Sequence, residues 1–455
     1  MDHQELNQPY LPTEPHHLNI STSTFGCKVN TYDSGLIEKN LFQSGHFVND
    51  TQSSKKVHIL NTCAVTAEAT KEAVKLIKKL KKDSPEDLVV ITGCSAQVDT
   101  KFFTDEADAD LVVANSHKSQ LPDILNQFLK GEIKDKVFKS NIFKKEDLEI
   151  GGGIQSEHTR SFLKIQDGCN SFCSFCIIPY ARGKSRSISV TELSNRVIEL
   201  YEAGHREVVL TGVHIGDYAD ETRKLEDLVE ALLIRTPMPR FRLSSLEPIE
   251  ISDKLFELYQ DPRMCPHFHM SIQSANTKVL KDMKRKYSQT EVRNTLIKIS
   301  EKLKNPFVGM DVIAGFPTES HEDFEDTYFA LADLPWTRLH VFPYSERSGT
   351  RAADLMTQVP YHQRKERARR LRDLSQSRYQ QWGQNQVGLR QKALILKKFT
   401  ARAHGVTREY CNIKFSDGDL LKAGQNLGQE LNVRLGQFHW NSGSSQDGHF
   451  DAELV

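Results

Sequence analysis

The stretch CNSFCSFC, residues 169–176, holds three cysteines, Cys169, Cys173 and Cys176, and no fourth cysteine lies nearby. Structural zinc sites use four ligands, usually grouped in pairs. Three thiolates on a cubane iron–sulfur cluster instead leave one iron without a protein ligand, and that open corner is available for chemistry. The nearest histidines, His158 and His205, have no ligand-like spacing to this loop. The motif therefore favours an iron–sulfur site, with zinc as the alternative.

A second set of three cysteines occurs earlier in the chain. Cys27, Cys63 and Cys94 each follow an apolar, strand-like run: STFGC, HILNTC and VITGC. In an open parallel sheet the carboxyl ends of the strands form one edge, where ligand sites lie. The three thiols are therefore expected to converge on a second open-cornered cluster, although buried structural cysteine is the alternative. Cys265 and Cys411 have no spaced partner and are interpreted as packed thiols.

Three regions with different periodicity surround these motifs, and they predict an α/β protein. Strand-like and helix-like runs alternate in the first and second regions, which predicts parallel, covered sheets. The second region has six such units, which favours an open, partial (β/α)6 barrel over a closed eightfold one. The last region is rich in short strands and predicts a small antiparallel β-barrel. The predicted boundaries are 18–130 for the N-terminal domain, 131–158 for a charged and Gly-rich linker, 159–375 for the central barrel, 376–440 for the C-terminal barrel and 441–455 for a loose tail.

The composition of the chain argues against several other classes of protein. The chain has 455 residues, with Lys+Arg 60 against Asp+Glu 60, so any attraction to nucleic acid must come from local patches. No apolar run approaches the roughly 20 residues that a membrane span needs, and the polar N-terminus has no signal-peptide core. A cytoplasmic protein is expected, in which the eight cysteines serve metal binding or catalysis rather than disulfides.

Several motifs together resemble one enzyme family. They are TFGCKVN, NTCAVT, ITGC, DGCNSFCSFCIIPYARGKSRS, LTGVHIGDY, SSLEP, DVIAGFPTES and PYSERSGTRAA, and they extend over about residues 18–440. This pattern resembles the radical S-adenosylmethionine (SAM) methylthiotransferases. The resemblance implies an N-terminal methylthiotransferase domain, a radical-SAM partial barrel and a C-terminal TRAM barrel that binds RNA. The segment CIIPYARGKSRS is similar to the branch that acts on threonylcarbamoyladenosine in tRNA, whereas a VPYTRG-type segment is typical of the isopentenyladenosine branch.

The family resemblance also implies a reaction and two 4Fe-4S clusters. Cys169, Cys173 and Cys176 would hold the cluster that binds S-adenosylmethionine and generates a 5′-deoxyadenosyl radical, which removes hydrogen from carbon two of adenosine 37. The second cluster, on Cys27, Cys63 and Cys94, would carry the sulfur. The alternatives are the same chemistry on isopentenyladenosine or on a ribosomal protein, and an iron–sulfur RNA-binding redox sensor without turnover. The cofactor-pocket sequences IAGFP and PYSERSGT argue against the sensor.

Polar groups and glycines at strand ends are candidates for the S-adenosylmethionine pocket. They are Gly212, Glu247, Gln273 and Gly315, and each is equally compatible with an ordinary barrel turn. Arg182 could pair bidentately with a carboxylate or lie on a solvated basic loop. The family usually has Gly after QS, where this chain has Ala275.

Two basic segments are candidates for RNA contact, RKERARRLRDLSQSR (364–378) and residues 390–405. Basic strips beside a small β-barrel fit binding to an RNA backbone, while a solvated helix face is the alternative. The candidate contacts are Arg367, Arg370, Lys397 and Lys398. The family resemblance further implies tRNA, a sulfur source and an electron donor such as flavodoxin or ferredoxin as partners. We expect a monomer with no membrane partner.

Overall fold

The computed structural model describes residues 19–44, 47–48, 56–148, 150–152, 159–400, 403–440 and 448–455. The strands are β1 Asn19–Thr24, β2 Phe47–Val48, β3 Lys56–Thr62, β4 Leu88–Gly93, β5 Leu111–Val113, β6 Val137–Phe138, β7 Arg160–Lys164, β8 Gln166–Asp167, β9 Arg186–Ser187, β10 Glu207–Thr211, β11 Phe241–Leu243, β12 Ser245–Leu246, β13 His267–Gln273, β14 Phe307–Ala314, β15 Arg338–Pro343, β16 Arg390–Ile395, β17 Gly405–Thr407, β18 Asn412–Phe415, β19 Glu430–Trp440 and β20 Gly448–Leu454. The α-helices are α1 Lys28–Gln43, α2 Ala67–Asp83, α3 Cys94–Val98, α4 Leu121–Leu129, α5 Ile178–Arg182, α6 Val190–Glu202, α7 Leu225–Arg235, α8 Asp253–Leu258, α9 Thr277–Asp282, α10 Gln289–Lys302, α11 His321–Asp333, α12 Tyr361–Gln386 and α13 Asp417–Gly424.

The N-terminal domain is a parallel sheet with strand order β2-β1-β3-β4-β5-β6. Its inner strands are apolar and buried on both faces, which a covered parallel sheet requires. In α2, Thr66 caps the backbone N–H of Ala69, and Ala73 and Ile77 face the sheet. The parallel pairing of β1 with β3 and of β3 with β4 brings the carboxyl ends of these strands to one edge, so the predicted alternation of strands and helices is confirmed here.

The central domain is a six-unit partial barrel, as predicted. Its strands form two parallel sheets, β11-β10-β7 and β12-β13-β14-β15, and β11 leads directly into β12. Between β7 and β15 the described residues form no strand pairing, so the barrel is open on that side. Tyr32 and Leu36 of α1 belong to the same apolar core as the barrel, so the N-terminal domain packs directly against it.

The C-terminal domain is a closed barrel with order β16-β17-β18-β20-β19. The predicted loose tail at 441–455 is wrong for the described residues 448–455, because β20 pairs with both β18 and β19 and closes the barrel. Phe450 and Ala452 are buried, while Asp451 between them and Glu453 after them are exposed, the alternation of a strand with one buried face. The pairing of β20 with β18 is parallel, so the barrel is not purely antiparallel.

Two further boundaries differ from the prediction. The segment 131–158 is not only a linker, since β6 within it adds a strand beside β5. Helix α12 continues through the predicted boundary at residue 375, because its inner face packs first on β15 of the central barrel and then on β19 of the C-terminal barrel. Within the described part of the chain, no helix combines the length and apolar character needed to cross a membrane.

Candidate active site

The loop with Cys169, Cys173 and Cys176 lies between β8 and α5, at the carboxyl ends of the barrel strands. The three cysteines line one cavity of ≈ 150 Å³ together with Phe175 and Gln273. Burial, followed by the neighbouring Cys173, raises the pKa of Cys176 to about 12. A thiol held in this way ionises only beside a strong positive charge, which a bound metal centre supplies.

Polar groups on the opposite wall of the cavity contact the same sulfurs. Arg285 donates from one guanidinium nitrogen to Cys173 Sγ at 3.1 Å and lies 2.8 Å from Glu247 through another. His214 Nδ1 lies 3.8 Å from Cys169 Sγ, and its Nε2 contacts Glu250. Burial opposes the charge on His214, but the hydrogen bonds to Cys169 and Glu250 outweigh it and raise its pKa to about 11. These cations can balance thiolate charge.

The second set of cysteines lies at the carboxyl edge of the N-terminal sheet. Cys27 precedes α1, Cys63 follows β3 and Cys94 begins α3 after β4. Gly26 has φ +92°, and a Cβ added there would lie 2.6 Å from Cys63 Sγ, so the Cys27 turn and Cys63 are in direct contact. Burial first, and then the nearby thiols of Cys94 and Cys27, raise the pKa of Cys63 to about 12. The three thiols are therefore brought together.

Arg182 joins the second set of cysteines to the barrel. Its Nε donates to Cys94 Sγ at 3.2 Å, and its terminal nitrogens bind Asp167 at 2.9 Å and Asp33 at 3.0 Å. Lys164 and Lys118 also bind Asp33, at 2.6 and 3.1 Å. Arg182 is thus not on a solvated loop. Sequence reasoning missed the acidic and lysine partners, because no local motif links them to Arg182.

A cavity of ≈ 320 Å³ separates the two sets of cysteines. It is lined by Cys27 from one set and Cys176 from the other. Phe175, Cys176 and Gln273 line both this cavity and the smaller one, so the two spaces adjoin. We call the ≈ 320 Å³ space the inter-triad cavity. Gln273 has φ +61°, a left-handed conformation that is uncommon for residues other than glycine and often marks functional sites.

The remaining cofactor-pocket candidates lie in different places. Gly212, just after β10, is so close to Gln166 that an added Cβ would lie 2.9 Å from its carbonyl oxygen. The side chain of Gln166 in turn accepts a hydrogen bond from the backbone N–H of His214 at 2.9 Å. His214 lines the ≈ 150 Å³ cavity, so Gly212 lies next to the wall of that cavity. Gly315 instead packs against Arg364 of α12, 2.6 Å from the position of an added Cβ, and it lines neither cavity.

The arginines of α12 are largely engaged inside the protein. Arg367 is buried and binds Glu319 at 2.6 Å, so the prediction that it contacts RNA is wrong. Its place in the inner face of the helix could not be read from the basic run alone. Arg370 pairs with Glu325. Lys397 is half-buried, and Lys398 is exposed and lines a third, larger cavity. Cys265 and Cys411 are buried.

Comparisons with known proteins agree with this architecture. The family model described as the Radical SAM superfamily matches residues 163–331, and the one described as Uncharacterized protein family UPF0004 matches residues 19–114. The radical SAM methyltransferase TsrM from Kitasatospora setae, solved with cobalamin and a [4Fe-4S] cluster bound, gives a TM-score of 0.56 at 12% identity, covering 75% of this chain and 77% of that one. This likeness concerns the fold alone. The class is therefore that of the radical SAM enzymes.

Relatives with curated names narrow the class. The threonylcarbamoyladenosine tRNA methylthiotransferase MtaB of Aquifex aeolicus is 36% identical over 87% of this chain and 96% of its own length. The protein of the same name from Rickettsia prowazekii is 38% identical over 82% and 86%. A tRNA-2-methylthio-N(6)-dimethylallyladenosine synthase from Staphylococcus epidermidis is 29% identical over 76% and 69%. The chain belongs to the MtaB family of threonylcarbamoyladenosine tRNA methylthiotransferases.

Proposed function

We propose that this chain transfers a methylthio group to carbon two of N6-threonylcarbamoyladenosine at position 37 of tRNA. The observation that carries the proposal is the arrangement of two three-cysteine sites that line one inter-triad cavity, through Cys27 on one side and Cys176 on the other. The target C–H bond has no useful acidity, so acid–base catalysis could not break it. The identity to the MtaB relatives supports the choice of nucleoside.

Each cysteine site fits a 4Fe-4S cluster. The sites are Cys169, Cys173 and Cys176, and Cys27, Cys63 and Cys94. Each has three thiols and no fourth cysteine among the described residues near it, which matches a cluster with one iron open to a non-protein ligand. When bound, the clusters and S-adenosylmethionine supply the radical chemistry and the sulfur transfer.

The protein supplies position and charge around these groups. Arg285 and His214 donate toward Cys173 and Cys169 and so stabilise their ionised forms. Glu247, held by Arg285, and Gln273 offer polar atoms to the amino and carboxylate ends of S-adenosylmethionine. Phe175 and the apolar wall of the inter-triad cavity exclude water from the reacting atoms.

The RNA part of the proposal uses the C-terminal domain. Its closed five-stranded barrel is assigned as a TRAM domain, with Lys397, Lys398 and Arg370 as candidate RNA contacts. Flavodoxin or ferredoxin is the proposed class of electron donor, and a separate sulfur source is required. A tRNA substrate agrees with the cytoplasmic location expected above.

Modified-nucleoside mass spectrometry on tRNA from cells that lack this gene tests the proposal. We expect 2-methylthio-N6-threonylcarbamoyladenosine to disappear, its precursor without the methylthio group to accumulate, and the wild-type gene to restore the product. Loss of the isopentenyl counterpart alone would instead favour the activity named for the Staphylococcus epidermidis relative. If every methylthio nucleoside persists, the proposed function is wrong.

A further inference from the structure

Helix α2 of the N-terminal domain has a lysine-rich outer face. Its inner face packs Ala73 and Ile77 against the sheet. Five lysines on the other side of the helix are exposed: Lys71, Lys75, Lys78, Lys79 and Lys82. All except Lys79 recur at spacings of three or four residues, so they form one row along the helix. We call these five side chains the α2 lysine face.

The lysines of this face are not held in ion pairs. Lys81, on the flank of the helix, pairs with Asp110, whereas none of the five forms an ion pair or side-chain hydrogen bond with another described residue. The exposed acids of α2 are Glu68, Glu72 and Asp83, and helical spacing places Glu72 and Asp83 beside the row rather than in it. Positive charge is therefore in excess on a surface open to solvent, in a chain whose net charge is zero.

The α2 lysine face begins at the opening of the proposed reaction site. Val65 and Thr66, which directly precede α2, line the inter-triad cavity. Val65 is 53% exposed, so this edge of the cavity is open to solvent. The backbone N–H of Ala67 donates to Ser345 Oγ at 3.2 Å, and Ser345 lines the same cavity. Lys71 therefore lies about one helical turn from the cavity opening.

We infer that the α2 lysine face binds the phosphate backbone of the tRNA beside adenosine 37. This inference rests on the proposed function and adds an RNA-binding surface on the N-terminal domain to the one proposed on the C-terminal barrel. An adenosine whose base lies in the inter-triad cavity brings its own strand to the opening of that cavity. From Lys71 to Lys82 the row rises about 17 Å along the helix axis, long enough to follow several phosphates. Lysines clustered along a helix suit backbone contacts that do not read sequence.

An acidic electron carrier is the other partner with matching charge, and the position of α2 favours RNA. Helix α2 follows Cys63 of the second set of cysteines. The electron is needed instead at the loop site that includes Cys176, on the central barrel. RNA has to reach the inter-triad cavity, and the α2 lysine face begins at the opening of that cavity.

Binding measured at several salt concentrations tests the inference. The α2 variant replaces three lysines of the row by glutamine: Lys71→Gln, Lys75→Gln and Lys78→Gln. The matched control replaces three exposed lysines between α4 and β6 of the same domain, Lys130, Lys134 and Lys136. Fluorescence anisotropy on the cluster-reconstituted full chain gives the Kd of two anticodon stem–loops of one sequence, with threonylcarbamoyladenosine or unmodified adenosine at position 37.

We expect the α2 variant to bind both stem–loops more weakly by the same factor. The slope of the logarithm of the binding constant against the logarithm of the salt concentration should become shallower by about two to three, the change for three lost phosphate contacts. The control should keep the wild-type slope. An unchanged slope in the α2 variant overturns the inference and leaves a solvated helix face, and so does an equal change in the control.

A second readout separates RNA from the electron carrier. The α2 lysines would belong to the carrier, and the inference would be overturned, if the α2 variant binds RNA like the wild type but forms 5′-deoxyadenosine only with dithionite and not with a flavodoxin reducing system. Binding needs no turnover, so the two proposals fail separately. Methylthio product from a variant with unchanged RNA binding leaves the proposed function standing while the RNA role of α2 fails. Absence of methylthio product from the wild type instead removes the proposed function.

Discussion

Arg182 Nε donates a hydrogen bond to the Sγ of Cys94 at 3.2 Å, although the two residues belong to different domains. The same guanidinium binds Asp167 of the central barrel and Asp33 of α1. One buried side chain thus fixes the edge of the N-terminal sheet against the loop that carries the other cysteines. We expect this contact to help set the distance between the two cysteine sites. The proposed transfer depends on that distance.

Arg182→Gln is expected to release this contact and leave two buried carboxylates without one of their cations. Breaking a buried ion pair in this way costs about 3–5 kcal/mol of unfolding free energy. We also expect reconstituted protein to retain about four of about eight iron atoms, because the second site is disturbed more than the loop site. Iron analysis and urea unfolding measure both. Arg223→Gln, at a half-exposed surface pair with Asp220, is the control, and full iron content in Arg182→Gln would contradict this role.

Gly26→Ala tests the close approach of the Cys27 turn to Cys63. Alanine at φ +92° is strained, and its Cβ would lie 2.6 Å from Cys63 Sγ. The control is Gly131→Ala, where φ is +72° and no atom lies within 4 Å of the added Cβ. The control should lose about 1 kcal/mol from backbone strain alone, and Gly26→Ala should lose more. Equal losses in thermal unfolding would mean that the turn adjusts without moving Cys63.

Glu207 binds Arg240 and Arg242, which in turn contact Thr407 of the C-terminal barrel, and this buried carboxylate should make stability depend on pH. Burial opposes its charge, but Arg242, Arg240 and Arg160 hold its pKa below the ordinary value. The folded state therefore binds fewer protons than the unfolded state, whose carboxyl has a pKa of about 4.3. The stabilisation is complete above that pH and falls as the pH drops below it.

Glu207→Gln should remove this pH dependence and destabilise the protein by about 3–5 kcal/mol at neutral pH, because three arginines lose their shared anion. Unfolding free energies at pH 3.5 to 7 measure both effects. Glu230→Gln, at a half-exposed pair with Lys254, should change little. Parallel pH profiles for wild type and Glu207→Gln would show that Glu207 does not carry the acid sensitivity.

The variant Gln273→Gly tests whether the Gln273 side chain, which lines both cavities near the cysteines, contributes to the transfer of the methylthio group. Because Gln273 has φ +61°, Gln273→Gly should fold at least as stably as the wild type, since glycine adopts this conformation without strain. We expect the variant to cleave S-adenosylmethionine while forming less methylthio product per cleavage, because the amide that faces both cavities is lost. Lys284→Gly, at φ +59° and in neither cavity, is the control. An unchanged ratio of product to cleavage would remove Gln273 from the site.

Much of this arrangement could be predicted from the sequence, because the cysteines mark strand ends that periodicity reveals. The strand β20 was missed, since its buried Phe450 and Ala452 follow a polar, Gly-rich run that resembles a tail. The inward direction of Arg367 was missed because a helix with many arginines has no obvious apolar face. The partners of Arg182 lie 15 to 152 residues away along the chain, and only the folded arrangement brings them together.

The most direct test of the central claim is to separate the two cysteine sites in one assay. Cys173→Ser and Cys63→Ser are reconstituted anaerobically and given threonylcarbamoyladenosine-containing stem–loop, S-adenosylmethionine, a sulfide source and a reductant. 5′-Deoxyadenosine and methylthio product are then measured together. The account predicts that Cys173→Ser forms neither, whereas Cys63→Ser still forms 5′-deoxyadenosine but no methylthio product. Methylthio product from Cys63→Ser at the wild-type level would contradict the claim that the second set of cysteines delivers the sulfur.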